Sequence, residues 1–250
     1  MSFPSRIYGD FGAEKATSTT KKRALGTVLE LPDGREFKYA LAGGTALSSG
    51  KITSSALMIE HHNMDLVTAA TAVDSSSITV TLEGTAATAD QYADGYIYTN
   101  DSTADEGEGQ IYRIASNPAA DSSATLEVTL APNDKVKVAL NSDTLSGLAV
   151  NPYSGIVVSP TTVTNRTLGV PPTLIAANAY GFVQTKGLAS VFVNGGVVAG
   201  QPLRVAGATA AGAVQLLNRD GSDENEQEIG VVHNVVAVTT DFCLAFLNID

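Results

Sequence analysis

The sequence has few cysteines and few charged residues, and it lacks tryptophan. It has no tryptophan and one cysteine, Cys243, and only 16% of its residues are charged, against about 25% in an ordinary globular domain. A lone cysteine cannot pair within the chain, so stability must come from packing or assembly, as in a protein made in a reducing cytosol. Redox chemistry is not indicated.

The sequence also lacks long hydrophobic runs. Residues 1–6 contain no apolar core of signal-peptide length, and no later run approaches membrane-spanning length, which disfavours a Sec-exported or membrane protein. Hydrophobic residues nevertheless make up 44% of the chain. Thr, Ser, Asn and Ala take the place of charge, a composition typical of β proteins whose faces meet other protein.

Charge is distributed unevenly along the chain. The net charge of -11 argues against a general nucleic-acid binder, because neutralising phosphates requires clustered Lys and Arg. Residues 1–23 nevertheless hold five basic against two acidic residues, a net +3, which leaves -14 for residues 24–250. Residues 1–24 show no helical or strand periodicity, so we expect an extended arm that becomes ordered on a neighbouring subunit. A frayed terminus is the alternative.

Alternation of apolar and polar residues predicts an all-β fold. The clearest hairpin joins residues 27–31 to 35–41 through Pro32-Asp33-Gly34, since Pro presets one turn dihedral and Gly accepts the positive one. We predict further strands at 78–82, 126–130 and 136–140, a hairpin over 191–198 around Asn194-Gly195, and a last hairpin joining 229–238 to 242–247. Short helices are possible only at 54–70 and 172–180.

The turn-rich stretch between residues 145 and 180 suggests a domain boundary, which we place near Asn165. The predicted organisation is an extended N-terminal arm over 1–24, a β-rich domain over 25–164 and a smaller C-terminal β domain over 165–250. Both domains are expected to be sandwich-like or barrel-like.

No segment carries a catalytic motif. The nearest approach to a phosphate loop, residues 44–52, has Thr45 where glycine is required and Ile52 where a hydroxyl residue is required. His61 and His62 would point to opposite faces of a strand, and His233 is best interpreted as a structural histidine. Cys243 lies in an apolar strand and should be inert. We therefore expect no enzymatic activity and no cofactor.

Two acidic stretches leave calcium binding open. Neither matches the EF-hand pattern, so solvated loops are the favoured interpretation. A glycosidase pair can be drawn from the same carboxylates, but with no tryptophan and few flanking aromatics a sugar-stacking cleft has little support. The stretches contain Asp101, Asp105, Glu106 and Glu108, and Asp220, Asp223, Glu224, Glu226 and Glu228.

Several segments together resemble the capsid decoration proteins, also called cement or head auxiliary proteins, of tailed bacteriophages. A Ser/Thr-rich arm precedes the first of these segments, as in those virion proteins. The likeness spans most of the chain, and its motifs are structural turns rather than catalytic signatures. The segments are Arg23–Arg35, Gly109–Ile114, Asn151–Val158, Ala179–Thr185 and Val198–Leu203.

The resemblance implies a non-enzymatic virion protein that binds the outer surface of an icosahedral capsid and stabilises it. Its partners would be the major capsid protein and neighbouring copies of itself, as a homotrimer, with no nucleic acid and no membrane. It would be made in the host cytoplasm. The alternatives are a tail or baseplate structural protein or adhesin, and, in another class, a virion-associated glycan hydrolase.

We assign capsid binding to the N-terminal arm. Its apolar side chains suit a groove on a partner, and its basic side chains would add salt-dependent contacts to an acidic capsid surface. The assigned residues are Phe3, Arg6, Ile7, Tyr8, Phe11, Lys15, Lys21, Lys22 and Arg23.

Overall fold

The computed structural model describes residues 5–101, 107–162, 165–206, 210–218, 226–236 and 240–249. Within these ranges the chain forms seventeen strands and one 3-10 helix at Ala13–Lys15, which confirms the all-β prediction. Neither 54–70 nor 172–180 holds a helix. The strands are β1 (Arg6–Tyr8), β2 (Val28–Glu30), β3 (Glu36–Leu41), β4 (Thr53–Ser54), β5 (Leu66–Val67), β6 (Ser77–Thr81), β7 (Tyr96–Asp101), β8 (Ile111–Ser116), β9 (Thr125–Leu130), β10 (Leu145–Ala149), β11 (Val157–Val158), β12 (Thr167–Gly169), β13 (Tyr180–Val193), β14 (Pro202–Val205), β15 (Val214–Leu216), β16 (Gly230–Val232) and β17 (Asp241–Asn248).

The chain divides into two compact units, one of Met1–Leu57 with Pro152–Asp250 and one of Met58–Asn151. The predicted boundary near Asn165, with domains over 25–164 and 165–250, does not coincide with this division. The reason is long-range pairing: β3 runs antiparallel to β13, which joins residues before 57 to the C-terminal part of the chain.

The first unit contains a closed five-stranded barrel. The second half of β13 pairs antiparallel with β17, and the order continues through β16, β14 and β15. The barrel closes because β15 returns to β13 in parallel at Val193 and Val214. Inward aliphatic side chains fill it, as in other small barrels. They include Val191, Leu203, Val214, Ile229, Ala245 and Leu247.

Strand β13 also connects this barrel to the N-terminal strands. Its first half pairs with β3, which continues through β2 to β1 at the edge of the sheet. The register shifts between Gln184 and Lys186, where β13 passes from one partner strand to the other. A short sheet of order β11-β4-β12 completes the unit. Phe37, Tyr39 and Phe182 form the apolar cluster beneath β1 to β3.

The second unit is a six-stranded barrel of order β5-β10-β7-β8-β9-β6. An antiparallel bridge between Thr68 and Val80 closes the ring between β5 and β6. Its core contains Tyr92 and Ile97, which are fully buried. Both units therefore contain a β barrel with a filled interior.

The local strand predictions have mixed outcomes. The hairpin at Pro32-Asp33-Gly34 is confirmed, with Gly34 at φ 81°, and so is the final hairpin, in which β16 pairs with β17. Strands β6 and β9 match residues 78–82 and 126–130 and pair with each other. No strand forms over 136–140.

The hairpin predicted around Asn194-Gly195 is wrong. Val193 pairs with Asp241 and Val214, while Val197 bridges Val236 instead of folding back onto residues 191–193. Barrel closure gives the end of β13 two other neighbours, so the local turn signal does not decide the pairing.

Candidate interaction surfaces

The two adjacent histidines lie in a turn, not on a strand as predicted, although their environments do differ. His61 has φ 66° and is exposed, with its Nδ1 3.2 Å from Glu83 Oε2. His62 is fully buried, and its Nε2 lies 2.8 Å from the carbonyl oxygen of Thr85. A carbonyl can only accept, so Nε2 carries the proton and Nδ1 accepts from the hydroxyl of Tyr92. This arrangement is structural.

Cys243 and His233 lie on different sides of the barrel wall. Cys243 faces the interior, and burial raises the pKa of its thiol to about 11. His233 is exposed, with its ring edge-on to Phe246 at 5.3 Å between centroids. His233 lies just past the end of β16 on the outer surface, so its predicted role as a hydrogen-bonded structural histidine stays a prediction.

Within the described ranges, no group of three or more His, Cys, Asp or Glu side chains is placed to hold a metal ion. Five of the acidic residues named for calcium lie outside those ranges, so calcium binding stays a prediction. They are Asp105, Glu106, Asp220, Asp223 and Glu224. In the part of the chain that the structure describes, no helix is long and apolar enough to span a bilayer.

The N-terminal segment packs against the sheet, whereas a free extended arm was expected over 1–24. Strand β1 pairs in parallel with β2, and Ser18 exchanges two backbone hydrogen bonds with Tyr180, of 3.0 and 2.7 Å. Glu14 is buried and accepts from the N–H of Gly12 at 2.7 Å. Backbone pairing and the partly buried Ile7 hold residues 5–18 in place. Phe3 lies outside the described residues.

The guanidinium of Arg6 belongs to a partly exposed ion-pair network that joins neighbouring strands of the sheet. Its guanidinium lies 2.5 Å from Glu30 Oε2 and 3.3 Å from Glu36 Oε2, and Lys186 Nζ lies 3.1 Å from the other oxygen of Glu36. Partial burial raises the pKa of Glu36, but the hydrogen bonds from Lys186 and Arg6 outweigh it and leave the pKa below its usual value. Arg6 therefore fixes β1 to its neighbours.

A groove of about 340 Å³ lies between the N-terminal segment and the sheet; we call it the N-terminal groove. Tyr39 and Tyr180 stack in it at 5.7 Å between ring centroids, with 11° between their planes. The backbone N–H of Lys22 donates to the hydroxyl of Tyr39 at 3.0 Å. The lining includes Ile7, Tyr8, Lys22, Arg23, Leu29 and Phe182.

The structure brings together part of the predicted capsid-binding set. Ile7, Tyr8, Lys22 and Arg23 line the groove. Tyr8 is 78% exposed and Phe11 64%, and the basic side chains of Lys15, Lys21, Lys22 and Arg23 are exposed as well. Of these exposed aromatic and basic side chains, Tyr8, Lys22 and Arg23 thus meet at one groove of the first unit.

A second surface was missed from the sequence. Phe242, Leu244 and Phe246 alternate along β17 on the outside of the barrel and are 46%, 39% and 51% exposed. Across the strand pair, Phe192 lies opposite Phe242 and Leu188 opposite Phe246. We call this surface, with Val231 of β16, the barrel face. The signal was available: residues 242–247 are apolar at every position, where a half-solvated strand alternates.

Comparisons of the chain with models of protein families, with curated proteins and with solved structures found no match.

Proposed function

We propose that this protein is a non-enzymatic structural component of a tailed-phage virion, which binds the outer surface of the capsid and stabilises it. The observation that carries the proposal is the N-terminal surface. There, Tyr8, Lys22 and Arg23 line an apolar groove on a chain whose net charge is -11, and Phe11, Lys15 and Lys21 are exposed on the same N-terminal segment.

The edge of the sheet adds a second means of attachment. Strand β1 is the terminal strand of its sheet, and in the described residues β2 is its only neighbour. An open strand edge offers unpaired N–H and C=O groups to an extended segment of another protein. A capsid segment that pairs with β1 would lie beside Tyr8 and the N-terminal groove.

We expect the aromatic side chains of this surface to supply most of the binding affinity and the basic ones to make the binding depend on salt. Tyr8 and Phe11 are well suited as anchors, because large exposed aromatics gain most from burial in a partner. Lys15, Lys22 and Arg23 would contribute modest attractions to an acidic shell that added salt screens. Many copies on one particle make such individual contacts sufficient for retention.

The packed N-terminal segment determines how the proposal is tested. Removing residues 1–23 would uncover Leu29, Tyr39 and Phe182, so a deletion would confound binding with unfolding. Substitutions of exposed side chains avoid this problem. We therefore use the double variant Tyr8→Ser with Phe11→Ser, and the charge variant Lys15→Gln with Arg23→Gln.

Each variant is added to undecorated shells of its own particle, and bound copies are measured at low and high salt. The aromatic variant should bind at least about tenfold more weakly at both salts. The charge variant should bind several-fold more weakly at low salt only. The controls are Ile111→Ser and Lys137→Gln, exposed positions in the second unit. Equal binding by all four variants and the unchanged protein would contradict the assignment of attachment to the N-terminal surface.

A tail or baseplate part would use the same β modules and differs in copy number. Protein stoichiometry of intact particles separates the two, since decoration requires hundreds of copies and a tail part few. Glycan cleavage by the purified protein would favour the hydrolase alternative instead.

A further inference from the structure

The N-terminal groove contains two tyrosine hydroxyl groups that still have a proton to donate. Tyr39 is 4% exposed, and its hydroxyl oxygen accepts from the backbone N–H of Lys22 at 3.0 Å. A phenol also donates, and among the described residues no acceptor receives the proton of Tyr39 or of Tyr180. A buried donor without an acceptor is unfavourable. Both hydroxyls line the groove, so they suit a ligand that supplies an acceptor.

Positive charge lies beside these hydroxyls. Lys22 and Arg23 line the groove, and neither side chain has an ion-pair partner in the part of the chain that the structure describes. Burial raises the pKa of Tyr39, and the positive charge of Arg23 opposes this rise. Among the described residues that line the groove none is acidic, although the whole chain has 26 acidic against 15 basic residues. A negatively charged acceptor therefore fits the groove better than a neutral one.

The rest of the groove is apolar. Ile7, Leu29 and Phe182 line it together with the stacked rings of Tyr39 and Tyr180. Its volume of about 340 Å³ is at the lower end of the range for small-ligand sites, about 300–1,000 Å³. Such sites combine a mainly apolar lining with a few polar groups that fix the orientation of the ligand. A carboxylate close to an aromatic or large aliphatic group matches both parts of the groove.

An extended peptide can bring these two groups to the groove. Tyr8 lines the groove and is also the last residue of β1, and in the described residues the other edge of β1 has no strand partner. A segment that adds to this edge therefore lies beside the groove. Side chains two residues apart in an extended segment point to the same side. The matching pattern is thus an acidic residue two positions from a large apolar one.

We propose that the N-terminal groove binds an extended peptide segment that carries a carboxylate two residues from a large apolar side chain. The apolar side chain packs in the groove, and the carboxylate accepts from the hydroxyls of Tyr39 and Tyr180 beside Lys22 and Arg23. Under the proposed function, on which this inference rests, the segment belongs to the capsid protein.

Tryptophan fluorescence gives a direct binding assay, because the chain contains no tryptophan. The acid probe is the blocked pentapeptide acetyl-Ser-Asp-Ser-Trp-Ser-amide, and the neutral probe has Asn in place of Asp. With the purified full chain, the acid probe should have a dissociation constant below about 1 mM. The neutral probe should bind at least about tenfold more weakly, because it lacks hydrogen bonds to a charged acceptor. Indolepropionate, which has no peptide backbone to pair with β1, should bind at least about fivefold more weakly than the acid probe.

Two variants of the groove test the contacts of the carboxylate. Tyr180→Phe removes one hydroxyl and keeps the ring, and Lys22→Gln with Arg23→Gln removes the positive charge. Each should weaken binding of the acid probe at least about fivefold and change binding of the neutral probe little. Misfolding would weaken both probes alike, so the selective loss distinguishes recognition of the carboxylate from a structural effect.

The controls are matched substitutions in the second unit, Tyr96→Phe and the pair Lys135→Gln with Lys137→Gln, which should keep the full preference for the acid probe. Three results would overturn the proposal: no binding of the acid probe at about 1 mM, equal binding of the two peptides, or a preference that both groove variants retain. Indolepropionate binding as tightly as the acid probe would also contradict it, in favour of a free carboxylic acid.

The fluorescence assay contains no shells, so it separates this inference from the proposed function. Any of the contrary results would leave attachment to shells through Tyr8 and Phe11 as it stands. Full binding of shells by the Tyr8 and Phe11 variant, together with a preference for the acid probe, would contradict the proposed attachment and leave the recognition of the carboxylate standing.

Discussion

Strands β9 and β17 both alternate between buried and exposed residues, but their exposed side chains differ in chemistry. In β9 of the second unit, Leu126, Val128 and Leu130 point inward, and the outward positions are Thr125, Glu127 and Thr129. In β17 of the first unit the inward positions are equally apolar, but three successive outward ones are Phe242, Leu244 and Phe246. The inward side chains of the two strands are alike, while the outward ones are polar on β9 and mostly apolar on β17.

Cross-strand pairs strengthen the same contrast. Thr79 lies opposite Glu127 between β6 and β9, a polar pair that water solvates. Phe192 lies opposite Phe242 between β13 and β17. Folding requires the inward side chains of both strands, so the outward ones can differ in chemistry without changing the two cores.

The largest effect should come from the inward positions, where the two barrels are expected to behave alike. Leu126→Ala and Leu247→Ala each remove a buried side chain and should lower the free energy of unfolding by about 2–5 kcal/mol. Chemical denaturation checks this. Glu127→Ala, at an outward position, should change stability by less than about 0.5 kcal/mol. A cost below 1 kcal/mol for Leu247→Ala would mean that the β17 interior is not a packed core.

The adjacent histidines provide the next contrast. His62→Ala leaves the buried hydroxyl of Tyr92 and the carbonyl of Thr85 without their partner, and should destabilise by about 2–4 kcal/mol. His61→Ala should cost less than about 0.5 kcal/mol, since the side chain is exposed and paired only at the surface. Thermal and denaturant unfolding of both variants measures the difference. Equal costs would show that His62 has no buried network.

Thiol chemistry can test the alternation along β17 residue by residue. Cys243 is buried with a pKa raised to about 11, so it should react with an aromatic disulfide reagent at pH 8 only after unfolding. Leu244→Cys places a second thiol one residue further, on the outer surface. That variant should gain one thiol that reacts in the folded protein. Rapid reaction of Cys243 in the unchanged native chain would contradict the barrel orientation of β17.

The smallest expected effect is the acid sensitivity of the ion-pair network. The pKa of Glu36 is lower in the folded chain than its usual value, so its contribution to stability is present above that usual value and is lost as pH falls through the folded pKa. Glu36→Gln should therefore reduce the loss of unfolding free energy between about pH 5 and pH 3. The difference at pH 7 should be modest, because the pairs are partly exposed. An identical pH dependence in the variant would contradict this role.

Local signals in the sequence predicted those parts of the fold that depend on neighbouring residues. The Pro32-Asp33-Gly34 turn and the alternation in residues 126–130 are of this kind, because a few dihedrals and one buried face decide them. Barrel closure is not local. The parallel pairing of Val193 with Val214 and the pairing of β3 with β13 depend on which strands fill an interior, and a period-two pattern does not specify a strand's partner.

The candidate surfaces, like the fold, could be predicted only where residues close in the sequence decide them. Charge and aromatic residues marked Tyr8, Phe11 and the basic residues, but no local pattern indicated that Ile7, Glu14 and Ser18 attach the segment to the sheet. That attachment depends on the neighbouring strand β2 and on Tyr180, which lies more than 160 residues away. Predicting the barrel face required the knowledge that the other side of β17 is already buried in the barrel interior.

The central claim is that the chain attaches to a capsid in many copies through its N-terminal surface. The most direct measurement is the number of copies per intact particle, by quantitative protein-band analysis, for the unchanged protein and for Tyr8→Ser with Phe11→Ser. We predict hundreds of copies for the unchanged protein and a large loss for the variant, with Ile111→Ser at the unchanged level. A few copies per particle, or full occupancy by the Tyr8 and Phe11 variant, would contradict the account.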